Sequence, residues 1–144
     1  MLEIVPTKEN HYILIAVTGD ADASSSIKLD KALRSAFDEK HQNIIEIGPG
    51  MGVLTQFLIS EAQSITLVEI DSESVVYLKN TYTDKHLTLI EGDFLKLNFR
   101  KVFGEGPFAI IGNFPYNIST QIVFKTVENR AQIPFFSGMF QKEV

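Results

Sequence analysis

The stretch IIEIGPGMGVLTQFLIS, residues 44–60, decides how this chain folds. Its β-branched start, ending at Ile47, reads as a buried strand, and Val53, Leu54, Phe57 and Leu58 then recur at helical spacing. Between the two, Gly48, Gly50 and Gly52 let the backbone turn tightly and approach a ligand where a Cβ would clash. A Pro-Gly turn would also serve as a plain strand-to-helix connector. A dinucleotide fingerprint needs a third glycine at position 53, where Val53 stands. The pattern here is G-x-G-x-G with Glu46 two residues ahead of it, which suits a ligand carrying a cation better than a pyrophosphate.

Outward from this loop, short apolar runs alternate with helix-like segments. NIIEI (43–47), SITLVEI (64–70), LTLIEGDF (87–94), FAIIGN (108–113) and FFSGMFQKEV (135–144) read as strands. VLTQFLIS (53–60), DSESVVYLKNTY (71–82) and STQIVFKTVEN (119–129) read as helices, with Asp71 or Ser72 and then Ser119 as caps, and with Val75, Val76 and Leu78 facing inward. The alternation predicts an α/β fold with a mostly parallel twisted sheet. Residues 1–42 fit it less well and form an atypical N-terminal segment ahead of a core at 43–144. LEIVPTKENHYILIAV reads as a hairpin turning at Lys8–Asn10, residues 18–26 as a loop, and 24–41 as a helix through Ile27, Leu29, Leu33 and Phe37.

The bulk properties narrow the function classes. A chain of 144 residues without cysteine has no disulfide and no thiolate metal site, which points to an intracellular, cytoplasmic protein. No apolar run reaches the roughly 20 residues that span a bilayer, and MLEIVPTKEN lacks the basic start of a secretory signal. His11, His41 and His86 are scattered without ligand spacing, so no metal is expected. The formal net charge is −5, with Lys28, Lys31 and Arg34 as the one small basic group. A chain that grips nucleic acid by itself shows a basic face. An RNA partner would thus be held weakly here or through other parts.

Acidic residues stand at successive strand ends. Glu69 closes the second strand, where doubly wound folds place a carboxylate for ribose hydroxyls, and Asp93 closes the third, where it can accept from an adenine amino group. Taken singly, each also reads as a solvated strand-end or turn carboxylate. Glu46, Glu69 and Asp93 around one glycine loop suit S-adenosylmethionine, with its sulfonium, ammonium, ribose and adenine. The fourth strand ends in Asn113-Phe114-Pro115-Tyr116 beside the same crevice. The exocyclic amino nitrogen of a base is a poor nucleophile because its lone pair is delocalised into the ring. The Asn113 oxygen and the Phe114 carbonyl can accept from its N–H groups and favour a more tetrahedral nitrogen. Pro115 fixes the backbone there, and Tyr116 offers a face for stacking, worth about 1–3 kcal/mol. Such catalysis is positioning and directed hydrogen bonding.

Together the motifs IIEIGPGMGVLT, LVEID, EGDFLKL, IIGNFPYNIST and MFQKEV resemble, in order and approximate spacing, the ribosomal RNA adenine dimethyltransferases. That family modifies adjacent adenosines near the 3′ end of small-subunit rRNA. The resemblance runs from about Asn43 to Val144. It implies a Rossmann-like methyltransferase fold that uses S-adenosylmethionine, held by Gly48, Gly50, Glu69, Ile70, Asp93 and Phe94 beside Glu46 and Gly52. Asn113, Pro115 and Tyr116 would hold the N6 of the target adenine, with Asn113 counted in the cofactor set as well. The implied partner is small-subunit rRNA or a pre-ribosomal subunit. The related macrolide-resistance enzymes share the GN-x-PYNIST pattern, but MFQKEV looks more like the dimethyltransferase branch. Nothing in residues 1–42 matches the family's basic N-terminal arm, and the family chain continues past QKEV with two more strands and a helical rRNA-binding domain. One edge of the sheet is therefore expected to be incomplete or altered, with the hairpin at 2–17 pairing beside the fifth strand. A non-catalytic cofactor- or rRNA-binding module of ribosome assembly is the alternative reading; a nucleotide oxidoreductase is disfavoured by Val53 and NFPY.

Overall fold

The computed structural model describes residues 3–9, 12–18, 43–114 and 117–139. The helix read at 24–41, the loop residues 19–26, Pro115, Tyr116 and the tail from Phe140 lie outside the described residues. Seven strands build one sheet: β1 (Glu3–Glu9), β2 (Tyr12–Thr18), β3 (Asn43–Ile47), β4 (Ser64–Glu69), β5 (Leu87–Glu91), β6 (Ala109–Asn113) and β7 (Phe135–Met139), in the order β1-β2-β7-β6-β3-β4-β5. β1 runs antiparallel to β2 and every other neighbouring pair is parallel. Four helices are described: α1 (Thr55–Leu58), α2 (Ser72–Thr81), α3 (Phe99–Phe103) and α4 (Ser119–Glu128), with a 3₁₀ turn at Phe94–Lys96.

The chain order explains where a ligand can sit. From β3 at the centre the chain steps outward to β4 and β5, then returns to the other side of β3 for β6 and β7. The strand order reverses between β3 and β6, and a crevice opens at the carboxyl ends of strands at such a switch point. β3 is buried on both faces from Ile44 to Ile47, as an interior parallel strand must be. On one face, Ile44, Ile65, Leu67, Ile111 and Phe135 pack against Leu54, Leu58 and Leu78 from the α1 and α2 side. On the other, Ile45, Ile47, Val68, Ile110 and Phe136 pack against Phe94, Phe99, Phe114 and Ile122.

β7 does not end the sheet. β2 lies beside it in parallel register, from Ile13 opposite Phe135 to Val17 opposite Met139, and β1 becomes the outer strand. Pro6, which has no N–H to donate to a ladder, falls in that outer strand.

Several local expectations change. α1 is a single turn, shorter than the helix read at 53–60, and Val53 is 63% exposed while Leu54 and Leu58 are buried. Val76 is also exposed, because the inward stripe of α2 is carried by Val75 and Leu78. Asp71 caps α2, accepting from Ser74 N at 2.9 Å. Ser119 is the first helical residue of α4 rather than its cap, a position taken by Ile118. β5 stops at Glu91, so Asp93 lies beyond the strand and caps the 3₁₀ turn instead. α3 was not foreseen; Asn98 caps it, accepting from Lys101 N at 3.1 Å. No described helix is long and apolar enough to cross a membrane.

Candidate functional site

The glycine loop is shaped by what its backbone must do. Gly48, Gly50 and Gly52 take φ of 64°, 55° and 79°, a region that residues with a Cβ enter only at a cost. At Gly52 space is short as well: a Cβ would lie 2.7 Å from the Tyr82 ring. Tyr82, which ends α2, donates its hydroxyl to Gly52 O at 3.1 Å. On the other side, Gly50 N–H donates to Glu69 Oε2 at 2.8 Å, while Ile70 and Asp71 N–H both donate to Glu69 Oε1 at 3.0 Å. The buried Glu69 carboxylate thus ties the loop after β3 to the turn after β4 through charge-assisted bonds.

A cleft of about 350 Å³ opens beside this tie. Its wall is formed by Ile47 and Gly48 at the end of β3, Val68, Glu69 and Ile70 at the end of β4, Gly92 to Leu95 after β5, and Asn117 with Ile118 at the start of α4. One oxygen of Asp93 accepts from Leu95 N at 2.9 Å; the other has no hydrogen-bond partner among the described residues. Phe94 is buried with its ring 5.5 Å from that of Phe99, so its side chain serves the core beneath the cleft. Gly48, Glu69, Ile70, Asp93 and Phe94 are therefore brought together. Gly50 and Gly52 shape the loop without lining the cleft.

Glu46 is not part of that wall. Alternation along β3 puts it on the same face as Ile44, opposite Ile45 and Ile47, where it is 1% exposed. Thr55 donates its hydroxyl to Glu46 Oε2 at 2.6 Å, clamping the first turn of α1 onto β3. Burial pushes the Glu46 carboxyl up to about 8, with the Glu69 charge adding to the rise and the Thr55 bond opposing it. An acid whose pKa is raised on folding stabilises the fold fully below its unfolded value, near 4.5, and that contribution is lost as pH rises toward about 8. Stability should therefore fall across this window, with a slope of at most about 1.4 kcal/mol per pH unit from this group. Glu46→Gln should flatten the fall; urea midpoints at pH 5 and pH 8 measure it, and equal slopes in variant and parent would refute the assignment.

β6 delivers Asn113 to the surface at its end, and the chain turns Phe114 back inward. The Phe114 ring lies over Gly112 and Gly138, which face each other across β6 and β7, and stacks on Phe136 at 5.3 Å and 20°. The loop is thus nailed to the sheet one residue after Asn113. Asn113 does not line the cleft, and Pro115 and Tyr116 fall outside the described residues.

Sequence reasoning assigned no role to Asn117, Ile118, Gly92, Tyr82 or Lys125. Asn117 and Ile118 belong to the quoted NIST motif, so a signal was present. Lys125 lies within STQIVFKTVEN, the segment read as a helix. Its Nζ donates to Phe94 O at 2.6 Å and Leu97 O at 2.7 Å, above the rings of Phe94 and Phe99.

A family model described as ribosomal RNA adenine dimethylase matches residues 24–144, a likeness that begins upstream of Asn43. Ribosomal RNA small subunit methyltransferase A of Flavobacterium johnsoniae is 56% identical over 104 residues, covering 72% of this chain and 40% of that protein. Among solved structures, a dimethyladenosine transferase from Plasmodium falciparum superposes with a TM-score of 0.61 at 29% identity, over 80% of this chain and 42% of that one. The 23S rRNA methyltransferase ErmE gives a TM-score of 0.62 at 25% identity, over 78% and 43%. The chain spans about two-fifths of the length of the curated relatives it matches. With a Rossmann-like sheet and a cleft at its switch point, the chain belongs to the ribosomal RNA adenine dimethylase family.

Proposed function

We propose that residues 43–144 form the S-adenosylmethionine-binding core of an adenine N6-dimethyltransferase acting on small-subunit rRNA, with residues 1–42 as a separate N-terminal segment. The observation that carries the reading is the cleft at the switch point, with Glu69 and Asp93 after adjacent strands and Asn113 ending the strand across the switch. The residues fit the donor. The cleft volume lies in the range of small-ligand sites. Ile47, Val68, Ile70 and Ile118 offer apolar surface to an adenine face, and Asp93 keeps one acceptor oxygen for an amino group. Glu69, held by backbone donors, stands ready for a ribose hydroxyl.

When bound, S-adenosylmethionine supplies an electrophilic methyl on its sulfonium. The chain's own task is to orient the base. Asn113 accepts from one N6 hydrogen and the carbonyl before Pro115 from the other, which frees the nitrogen lone pair to attack. Tyr116 stacks on the flipped base. No side chain need abstract a proton before attack; the rate gain lies in orientation and in acceptors aimed at the nitrogen as its charge develops.

Labelled methyl transfer to unmethylated small subunits tests the reading, with Asn113→Ala as the blank. Label in N6-methylated adenosine above the blank is expected. Donor binding by calorimetry without such label would favour the non-catalytic module instead. The likeness to ErmE supports a second reading, transfer to large-subunit rRNA, and label appearing in large subunits alone would select it.

A further inference from the structure

Lys125 does work that the donor site and acceptor loop do not account for. It lies on α4, seven residues after Ile118, or about 10 Å further along the helix. Ile118 lines the cleft. The Lys125 ammonium reaches across to the 3₁₀ turn after Asp93, donating to Phe94 O and Leu97 O at 2.6 and 2.7 Å. It sits 5.1 Å from the Phe94 ring centre and 4.8 Å from that of Phe99, a cation–π arrangement that also orients the turn. Phe94, Leu95 and Leu97 also pack against the core, and the other hydrogen bonds within the turn are short-range. Leu95 N–H donates to Asp93 Oδ1, and two backbone bonds close it on itself, Lys96 N to Asp93 O at 3.0 Å and Leu97 N to Phe94 O at 3.2 Å. All three are local. Lys125 joins the turn to a helix 28 and 31 residues away in sequence.

We propose that Lys125 is a positioning residue for adenine recognition: by fixing the Asp93–Leu97 turn to α4, it sets where Asp93 stands when it accepts from the donor's adenine amino group. The proposal rests on the donor-binding reading above. Lys125 does not line the cleft. It ties the turn that reads the adenine to the helix that follows the acceptor loop, so the two halves of the site share one anchor. Burial draws the lysine below its usual pKa, while the Asp93 and Glu128 carboxylates oppose that shift. The Nζ group supplies a donor to each of the two carbonyls.

The discriminating measurement is a ratio of affinities. Titration calorimetry on the full chain compares S-adenosylhomocysteine with S-inosylhomocysteine, whose base carries a carbonyl oxygen in place of the amino group. The parent chain should prefer the adenine ligand by about tenfold, the scale of one well-made hydrogen bond plus the cost of a mispaired acceptor. Lys125→Met, which keeps the stem over the rings and removes the donors, should shrink that preference to about twofold or less. Lys125→Arg, which restores donors and charge, should recover it. Glu69→Ala should weaken both ligands alike and leave the ratio standing. Should Lys125→Met melt below the assay temperature, Lys125→Gln is read by the same ratio. A variant that folds and keeps the parent's preference overturns the role of Lys125 while the donor site stands. A parent chain that binds neither ligand overturns the donor site and this inference with it.

Discussion

Gly138→Ala should lower the stability of the chain by about 3 kcal/mol, a large share of the 5–15 kcal/mol that holds an ordinary domain together. The cause is steric and local. A Cβ at Gly138 would overlap the Phe114 ring, which is 3% exposed and stacked on Phe136. The opposite glycine leaves no room to retreat: at Gly112 a Cβ would already lie 2.7 Å from Ile47 O and 2.7 Å from Phe114 Cε1. The ring must then leave its seat and give up burial worth about 1.5–3 kcal/mol, or β7 must move away from β6 and break a central parallel pair. Either outcome shifts the chain directly after Asn113. The urea midpoint should fall with the slope of the transition unchanged. A double-mutant cycle identifies the cause. Combined with Phe114→Ala, which removes the ring, Gly138→Ala should cost far less than it does alone. Additive losses, or a single-variant loss under about 1 kcal/mol, would refute the seat.

That seat shows what the sequence could and could not disclose. The five strands from Asn43 onward were legible because interior parallel strands read as continuous apolar runs, and the glycine loop because three glycines at alternate positions stand between a strand and a helix. The cleft followed from the order of these elements. Glu46, two residues before Gly48, does not line the cleft and accepts from Thr55 at the first turn of α1, a contact that only the folded chain discloses. Val53 and Val76 fit a helical period, but Val53 precedes the one-turn α1 and Val76 sits on the outer side of α2, where period alone carries no depth. Gly112 and Gly138 are ordinary strand glycines until β6 and β7 are known to pair in register. Lys125 and the turn it holds lie 28 or more residues apart, and no local pattern joins them. The edge beside β7 illustrates the reverse. An unpaired interior-type strand demanded a neighbour, and the hairpin was the one nearby element with strand pattern to supply it.

Glu69→Ala should weaken binding of S-adenosylmethionine by about a hundredfold or more, because two separate losses add. The first is the ribose contact assigned to this carboxylate. A hydrogen bond to a charged acceptor contributes about 1.5–3 kcal/mol, and each 1.4 kcal/mol is tenfold in affinity. The second is preorganisation. Gly50, Ile70 and Asp71 all point their N–H groups at the two Glu69 oxygens, at 2.8, 3.0 and 3.0 Å. Without the carboxylate these donors lose their acceptor in a part-buried site, and Gly50 is released from β4, while Gly48 N–H keeps its bond to Val68 O at 2.9 Å. A carboxylate offers about four acceptor positions, so three backbone donors leave room for one hydroxyl without loss. Glu69→Gln sharpens the test. Its amide keeps the volume and one oxygen, and that oxygen satisfies Ile70 and Asp71 while the amide nitrogen faces Gly50 N–H without accepting from it. Affinity for the glutamine variant should therefore fall between those of the parent and the alanine variant. Calorimetric titration measures all three. An alanine variant that folds and binds within about threefold of the parent would remove Glu69 from the donor site and leave it as a tie between two turns.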